Sequence, residues 1–519
     1  MLMKNQLVEL EITDFTSDGE GVGKARGCTF FVKDAVIGDK VLIRVTKIRK
    51  NYAYGHLDRL IVPSPKRINA PCPEYKRCGG CQLQALSYEE QLRFKKNKVI
   101  NNLVRIGGFP REEIGRITEE VIGMQDLRMM SDMIPGEEPG CFRYRNKAQY
   151  PVGRDKDGNL LAGFYAGRSH TIIPVEDCLI GIPENRRILD AILEWMRTFG
   201  IAPYDETTKT GTVRHILIRK GFRTGEIMVC LVINEKRLPN EDELVRALGK
   251  LPLPEDSRIC QISYSVNTED TNVIMGNGYR TIFGKDTITD MIGNLTFRLS
   301  PLSFFQVNPV QTERLYAKTL EYARLTGEET VWDLYCGIGT ISLFLAKSAK
   351  QVYGVEIIPQ AIADARMNAK ENGIENVRFY VGKAEDVISG ALSGESRERS
   401  NPDEGPLPGE KLTNPDVIVV DPPRKGCDPL CLDTMLKMSP QRIVYVSCDS
   451  ATLARDLKIL HAGGYELRSV TPVDMFPQTV HVETVVLMGK TVTRSKSHVD
   501  LGLDVEDYYK IKDAEKEQE

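Results

Sequence analysis

No apolar run in this chain approaches the length of a membrane span, and Met1 to Gln6 hold no signal-peptide core. We therefore expect a cytoplasmic protein. Cysteine is scarce too: twelve in 519 residues, unevenly spread, cannot scaffold a fold by disulfides. Those that cluster are candidates for metal binding or chemistry. Net charge is nearly absent at -3, so composition as a whole gives no sign of a nucleic-acid partner. Locally, Arg44, Lys47, Arg49 and Lys50 cluster, then Arg93, Lys95, Lys96 and Lys98, then Arg143, Arg145 and Lys147. Singly each cluster reads as a solvated face, and together the three read as a surface for a polyanion. The length suits a multidomain chain, which we expect to act as a monomer.

Residues 1–62 read as a small barrel. L-V-E-L-E-I, T-F-F-V and D-K-V-L-I-R-V are short strands between glycine turns, without helical periodicity, as in oligonucleotide-binding (OB-like) barrels. G-E-G-V-G-K followed by F-V-K-D-A-V-I-G-D-K-V resembles the TRAM domain, an RNA-binding barrel attached to RNA-modifying enzymes; a barrel that contacts only protein shares the pattern. Pro63, Pro65, Pro71 and Pro73 mark a linker into C-P-E-Y-K-R-C-G-G-C-Q-L-Q. There Cys72, Cys78 and Cys81 are spaced by five and then two residues, and Cys178 can supply a fourth thiolate. Four thiolates suit tetrahedral zinc or an iron-sulfur cluster, and ligand identity alone does not choose. Residues 63–299 otherwise read as a central α+β domain, largely antiparallel, with an amphipathic helix over Tyr88 to Leu103 and another from Asn185 to Thr198. Ile114 to Gly140, acidic and glycine-containing, reads as a variable excursion. G-F-Y-A-G-R-S-H suits RNA, or equally core packing with a basic rim.

Residues 300–490 change rhythm to strand, turn, helix, which implies a doubly wound parallel sheet, an α/β Rossmann-like domain. T-V-W-D-L-Y, C-G-I-G-T and I-S-L-F-L-A-K form the first unit, and Q-V-Y-G-V-E ends the next strand on Glu356. The third glycine of the dinucleotide fingerprint is missing. A glycine turn with a strand-end acid that grips ribose still describes a nucleoside cofactor, S-adenosylmethionine ahead of NAD. D-P-P-R-K-G places Asp421 at another strand end. R-I-V-Y-V-S-C-D-S is a buried strand ending on Cys448, a candidate nucleophile as well as a candidate core residue. Corners like Asp-Pro-Pro occur in enzymes that methylate exocyclic amines, usually with an aromatic residue next. Here Arg424 follows instead, which with Cys448 argues for methylation at carbon. Pyrimidine C5 is a poor nucleophile until a thiolate adds at C6, and a base must then remove the C5 proton. In D-M-F-P-Q-T-V-H-V-E-T, His481 and Glu483 would share one strand face as candidate bases. Gln306 and Asn308, in S-P-L-S-F-F-Q-V-N-P, are amides in a Phe-rich setting that need partners, a ligand among them.

F-Q-V-N, D-L-Y-C-G-I-G-T, D-P-P-R-K-G, V-S-C-D-S-A-T-L-A-R-D and D-M-F-P-Q-T-V-H-V-E-T, in that order, resemble the RNA uridine-C5 methyltransferase family. The barrel and the cysteine element resemble its 23S ribosomal RNA branch, which carries a [4Fe-4S] cluster. That resemblance implies that Gln306, Tyr335, Glu356 and Asp421 bind S-adenosylmethionine, that Cys448 is the nucleophile and Glu483 the base, and that Cys72, Cys78, Cys81 and Cys178 hold the cluster. It implies 23S ribosomal RNA as partner, with one uridine flipped from its stack. Transfer RNA as substrate, a noncatalytic iron-sulfur RNA-binding factor and a nicotinamide oxidoreductase remain the competing readings. Cys448 is expected to be solvent-accessible without RNA and to have its thiolate favoured by its surroundings. Two segments depart from the family: an excursion over 388–413, rich in Ser, Gly, Pro and Glu, and a charged tail over 491–519.

Overall fold

The computed structural model describes residues 2–124, 141–387 and 413–491. The excursion (apart from Thr413), the tail after Thr491 and residues 125–140 lie outside them. No helix among the described residues is long and apolar enough to cross a membrane.

Strands Leu7–Phe15, Gly21–Ala25, Cys28–Val32, Tyr52–Val62 and Lys40–Ile48, in that spatial order, close into a barrel. Alternation builds it: Val8, Leu10 and Ile12 face inward with Val41, Ile43 and Val45, while the residues between them face out. Gly23 is required there, since a Cβ would lie 2.5 Å from the backbone carbonyl oxygen of Glu11. Buried Asp39 then ties the barrel to the linker by accepting from Val36 N, Ser64 N and the Arg67 guanidinium.

The central sheet has seven strands in the order Arg280–Gly284, Arg258–Val266, Glu226–Ile233, Val213–Lys220, Lys147–Arg154, Leu160–Tyr165 and Ile172–Pro174. It is antiparallel except where Glu226–Ile233 runs parallel to Arg258–Val266, a pair joined through the helix Glu241–Gly249. Every residue of Glu226–Ile233 is buried. One face packs under the helix Glu184–Thr198, and the other joins the core of the carboxy-terminal domain through Leu217, Met228 and Cys230.

The carboxy-terminal sheet also has seven strands. Val377–Val381, Gln351–Glu356, Thr330–Leu334, Val417–Val420 and Arg442–Ser447 run parallel side by side, and Glu483–Lys490 and Tyr465–Val473 complete the edge antiparallel. The doubly wound reading holds, with one reversed strand, Glu483–Lys490, added; Tyr465–Val473, antiparallel to it, runs in the same sense as the other five. Val417 and Val419 enter one core and Ile418 and Val420 the other, so both faces are dry.

One of those faces is covered by a helix from the first third of the chain. Tyr88–Arg105 lays Val99 and Leu103, both fully buried, against it, each contributing roughly 2 kcal/mol. The segment after it corrects the excursion read from Ile114 onward. Arg111–Ile117 is a helix with Glu112 and Glu113 in its first turn, where they suit the dipole, and Ile114 is fully buried. Thr118 and Ile122 then bridge Val470 and Val473 in parallel. Its apolar residues are too widely spaced among acids to show a period in sequence.

The second basic cluster is corrected as well. Lys95 is fully buried and paired with Asp474, Lys96 pairs with Glu120, and Lys98 donates to the carbonyls of Ser17 and Val480. In the third, Arg143 pairs with Asp177, and burial beside Arg219 and Arg145 pushes Lys147 down to about 7. Lys47, Arg49 and Lys50 of the first remain exposed.

Candidate active site

Because neighbouring strands run parallel, their carboxyl ends form one edge. Along it stand Glu356, Tyr335, Asp421 and Cys448, each at or just after the end of its strand. Glu483 joins from the opposite direction: Ser447 pairs with Thr484, so one further step of register sets Cys448 beside Glu483.

Cys448 occupies a tight turn. Ser447 Oγ accepts from Asp449 N at 3.2 Å, and Asp449 caps the following helix, Ser450–Ala462, through Ala451 N and Thr452 N. The thiol is half-buried, so the expected access is present. The expected ease of ionisation is not. Burial, then the carboxyls of Glu483 and Asp421, push the thiol up to about 12 against the opposing charge of Arg424. Position at a helix start favours a thiolate, but two acids at close range outweigh it.

Glu483 is 2% exposed, and its Oε2 has no hydrogen-bond partner among the described residues. Burial, then Asp421, raises its carboxyl well above the usual range. Asp421 is itself pushed up to about 7 by burial. A buried carboxyl with an unsatisfied oxygen beside a thiol is a group arranged to exchange a proton. His481 is a correction: it lies ahead of the strand, which starts at Glu483, so strand alternation does not pair the two. Burial and the nearby cations push its imidazole down to about 4, and its ring meets Phe476 edge-on at 6.1 Å. Arg424 gained no role from sequence, where it marked only the missing aromatic. In the structure its charge acts on Cys448, Glu483 and His481 together.

On the cofactor side, Tyr335 adopts a left-handed φ of 68° and donates its N–H to Val355 O at 2.9 Å, which turns the chain sharply off the strand. Gly337 and Gly339 follow at φ 54° and 81°, and a Cβ on Gly339 would meet the Phe379 ring at 2.9 Å. The Glu356 carboxylate accepts from Gly337 N at 3.3 Å and Ile358 N at 3.0 Å, so the turn and the acid form one unit. Gln306 is buried, its side-chain amide has no partner among the described residues, and its carbonyl accepts from Asn146. Asn308, read beside it as needing a ligand, finds protein instead: it caps the helix Pro309–Ala323 and donates to Met475 O at 3.1 Å. These cradle residues fit a nucleoside cofactor, with Gln306 offering the free amide and Glu356 a fixed acceptor.

Cys72, Cys78, Cys81 and Cys178 are free thiols that line one cavity of about 400 Å³. Burial, with the sibling thiols adding, pushes Cys81 up to about 12 and Cys178 to about 11. Four sulfur donors around one cavity fit a thiolate-bound group, whose positive charge would have to offset that penalty on ionisation. Among the described residues, however, no three His, Cys, Asp or Glu side chains are gathered closely enough to hold a metal ion.

Residues 256–491 match the tRNA (Uracil-5-)-methyltransferase family, and residues 2–57 match the TRAM domain. A relative from Clostridium tetani, an uncharacterized RNA methyltransferase, is 46% identical over 93% of this chain and 96% of its own. One of the same description from Clostridium acetobutylicum is 48% identical over 94% and 98%. The chain belongs to the RNA uracil-5-methyltransferase family. It is an S-adenosylmethionine-dependent RNA methyltransferase with an amino-terminal TRAM barrel. Among solved structures it is similar to the Pyrococcus abyssi tRNA (uracil-54, C5)-methyltransferase in complex with S-adenosyl-L-homocysteine. That likeness has a TM-score of 0.68 and 27% identity, and covers 93% of this chain and 100% of the other.

Proposed function

We propose that this methyltransferase forms 5-methyluridine in 23S ribosomal RNA through a covalent link between Cys448 and uracil C6. The observation that carries the chemistry is the unpartnered Oε2 of Glu483 at the register step of Cys448. With its thiol raised to about 12, Cys448 attacks only as its proton leaves, and Asp421 is the carboxyl at hand to take it, which leaves Glu483 free for the later step. Sulfur adds to C6, and the electrons pushed onto C5 make that carbon nucleophilic. S-adenosylmethionine, when bound, supplies the electrophilic methyl group; Gln306, Tyr335, Glu356 and Asp421 would hold it. Glu483 as carboxylate then takes the C5 proton, the C5–C6 double bond re-forms, and the C6–S bond breaks to release Cys448. His481, held neutral, takes no part as a cation.

Cys72, Cys78, Cys81 and Cys178 would hold a [4Fe-4S] cluster, which would bind the linker to the central sheet; the reaction needs no electron from it. Iron and sulfide analysis of protein purified without oxygen, beside Cys78→Ser, tests that assignment. The cysteine element and its distant fourth thiol support the ribosomal substrate. Transfer RNA is the second reading, supported by the full-length likeness to a tRNA enzyme. Mapping 5-methyluridine in both RNAs from cells with and without the gene separates them. A mark lost from 23S RNA and restored by wild type but not by Cys448→Ala supports the proposal, and loss from transfer RNA alone replaces it with the second reading.

A further inference from the structure

Asp474 to Val482, the segment that delivers Glu483 to the sheet edge, is anchored largely by residues nearly 400 positions earlier in the chain. The carbonyl of Gln478 accepts the backbone N–H of Gln82 at 3.1 Å and of Leu83 at 3.0 Å. Val480 donates its N–H to Gln82 Oε1 at 3.4 Å and accepts from Lys98 Nζ at 3.0 Å. Gln82 Nε2 donates in turn to Gly79 O at 2.9 Å, inside the turn between Cys78 and Cys81. One side chain therefore links the cysteine turn to the backbone three residues before Glu483. The Glu483 carboxyl has an oxygen with no partner of its own, so its placement depends on this backbone.

We infer that the Cys81–Leu83 turn, with Gln82 as its positioning residue and Lys98 assisting, holds Glu483 in register with Cys448, so that the cysteine element governs the proton-abstraction step. The inference rests on the reading of Glu483 as the base. It separates two steps that share the site. Nucleophilic addition depends on the Cys448 turn, which Asp449 fixes independently, whereas release of the adduct depends on where Glu483 stands.

The test uses the full-length protein with wild-type sequence, Gln82→Met, Gln82→Glu and Glu483→Gln. The readouts are kcat, KM for RNA and for S-adenosylmethionine, and the fraction of protein held as a covalent RNA adduct when turnover is quenched in denaturant. Methionine keeps the volume and loses both polar ends; glutamate keeps the acceptor for Val480. Gln82→Met is expected to lower kcat by up to about 100-fold with both KM values unchanged, and to accumulate adduct. Gln82→Glu is expected to recover most of the turnover. Wild-type kcat in Gln82→Met, or weaker RNA binding without adduct accumulation, overturns the inference. Should Gln82→Met melt below the assay temperature, Lys98→Met releases Val480 from the same anchor and carries the same prediction, with the same outcomes overturning it. If Glu483→Gln itself fails to accumulate adduct, the assignment of the base is what fails, and the two failures are distinct.

Discussion

Two carboxyls and a thiol share a small volume at the sheet edge, and each ionises away from its value in water because burial penalises charge and the acids repel one another's anions. The consequence for pH follows from which form each step needs. Proton removal from C5 requires a carboxylate, Asp421 is raised to about 7 and Glu483 is raised further above the usual range. Release of methylated RNA from the covalent adduct, followed in a single turnover, is therefore expected to quicken as pH rises from mildly acidic to alkaline, and a release rate flat across that range would refute the assignment. Asp333 offers a matching test on stability. It is fully buried beneath the cofactor turn, Ser342 Oγ donates to one oxygen, the other has no partner, and burial pushes it up to about 7. A carboxyl raised on folding binds its proton more tightly in the native state, so its contribution is present at low pH and is lost as pH rises through about 7. The loss amounts to roughly 4 kcal/mol at most. Asp333→Asn removes that dependence. Thermal melts should show wild type losing more stability than the variant between pH 5 and 8, about three decades of proton activity.

Among elements, the helix Tyr88–Arg105 has the most consequence per residue. It covers one face of the carboxy-terminal sheet with Val99 and Leu103, and its polar side reaches the loop ahead of Glu483. Lys95 and Asp474 are both fully buried, and Tyr88 Oη completes the carboxylate's shell at 2.8 Å. Breaking such a pair leaves one charge unsolvated, at a cost of about 3–5 kcal/mol, whereas replacing both partners removes the problem. Lys95→Met is therefore expected to destabilise strongly in urea titrations, and Lys95→Met with Asp474→Leu to recover part of that loss. Equal loss in the single and double variants would mean that the ion pair itself, and not the stranded acid, sets the stability. The same geometry removes Lys95 from the basic surface: its charge is spent inside the protein.

At the scale of the whole molecule, the chain does not fold as a simple series of domains. Residues 88–124 belong spatially to the carboxy-terminal sheet, where Glu119 N donates to Val470 O and Asp474 N to Ile122 O. A fragment of residues 300–491 would expose the apolar surface that Val99, Leu103 and Ile114 cover. It is expected to bind a hydrophobic dye and to lack a sharp melting transition, and added peptide 86–124 should reduce the dye binding. A fragment that melts cooperatively by itself contradicts this picture.

The strand ends were legible in the sequence because they depend on neighbours along the chain. The apolar run before Cys448, the glycine turn after Leu334 and the acid closing Gln351–Glu356 are local signals, and the parallel order of strands follows from their alternation with helices. The cysteine spacing likewise pointed to one site, and the four thiols do line one cavity. Other features could not be read. The ionisation of Cys448 depends on Glu483 and Asp421, which arrive from other strands, and the neutrality of His481 depends on burial and on cations from three separate segments. The burial of Lys95 depends on Asp474, 379 residues away. Local pattern determines which elements form and which residues stand at their ends, because backbone conformation is decided within a few residues. Electrostatics and loop placement were decided only by the tertiary structure, because they are sums over groups that the sequence keeps far apart and the fold brings within a few ångströms.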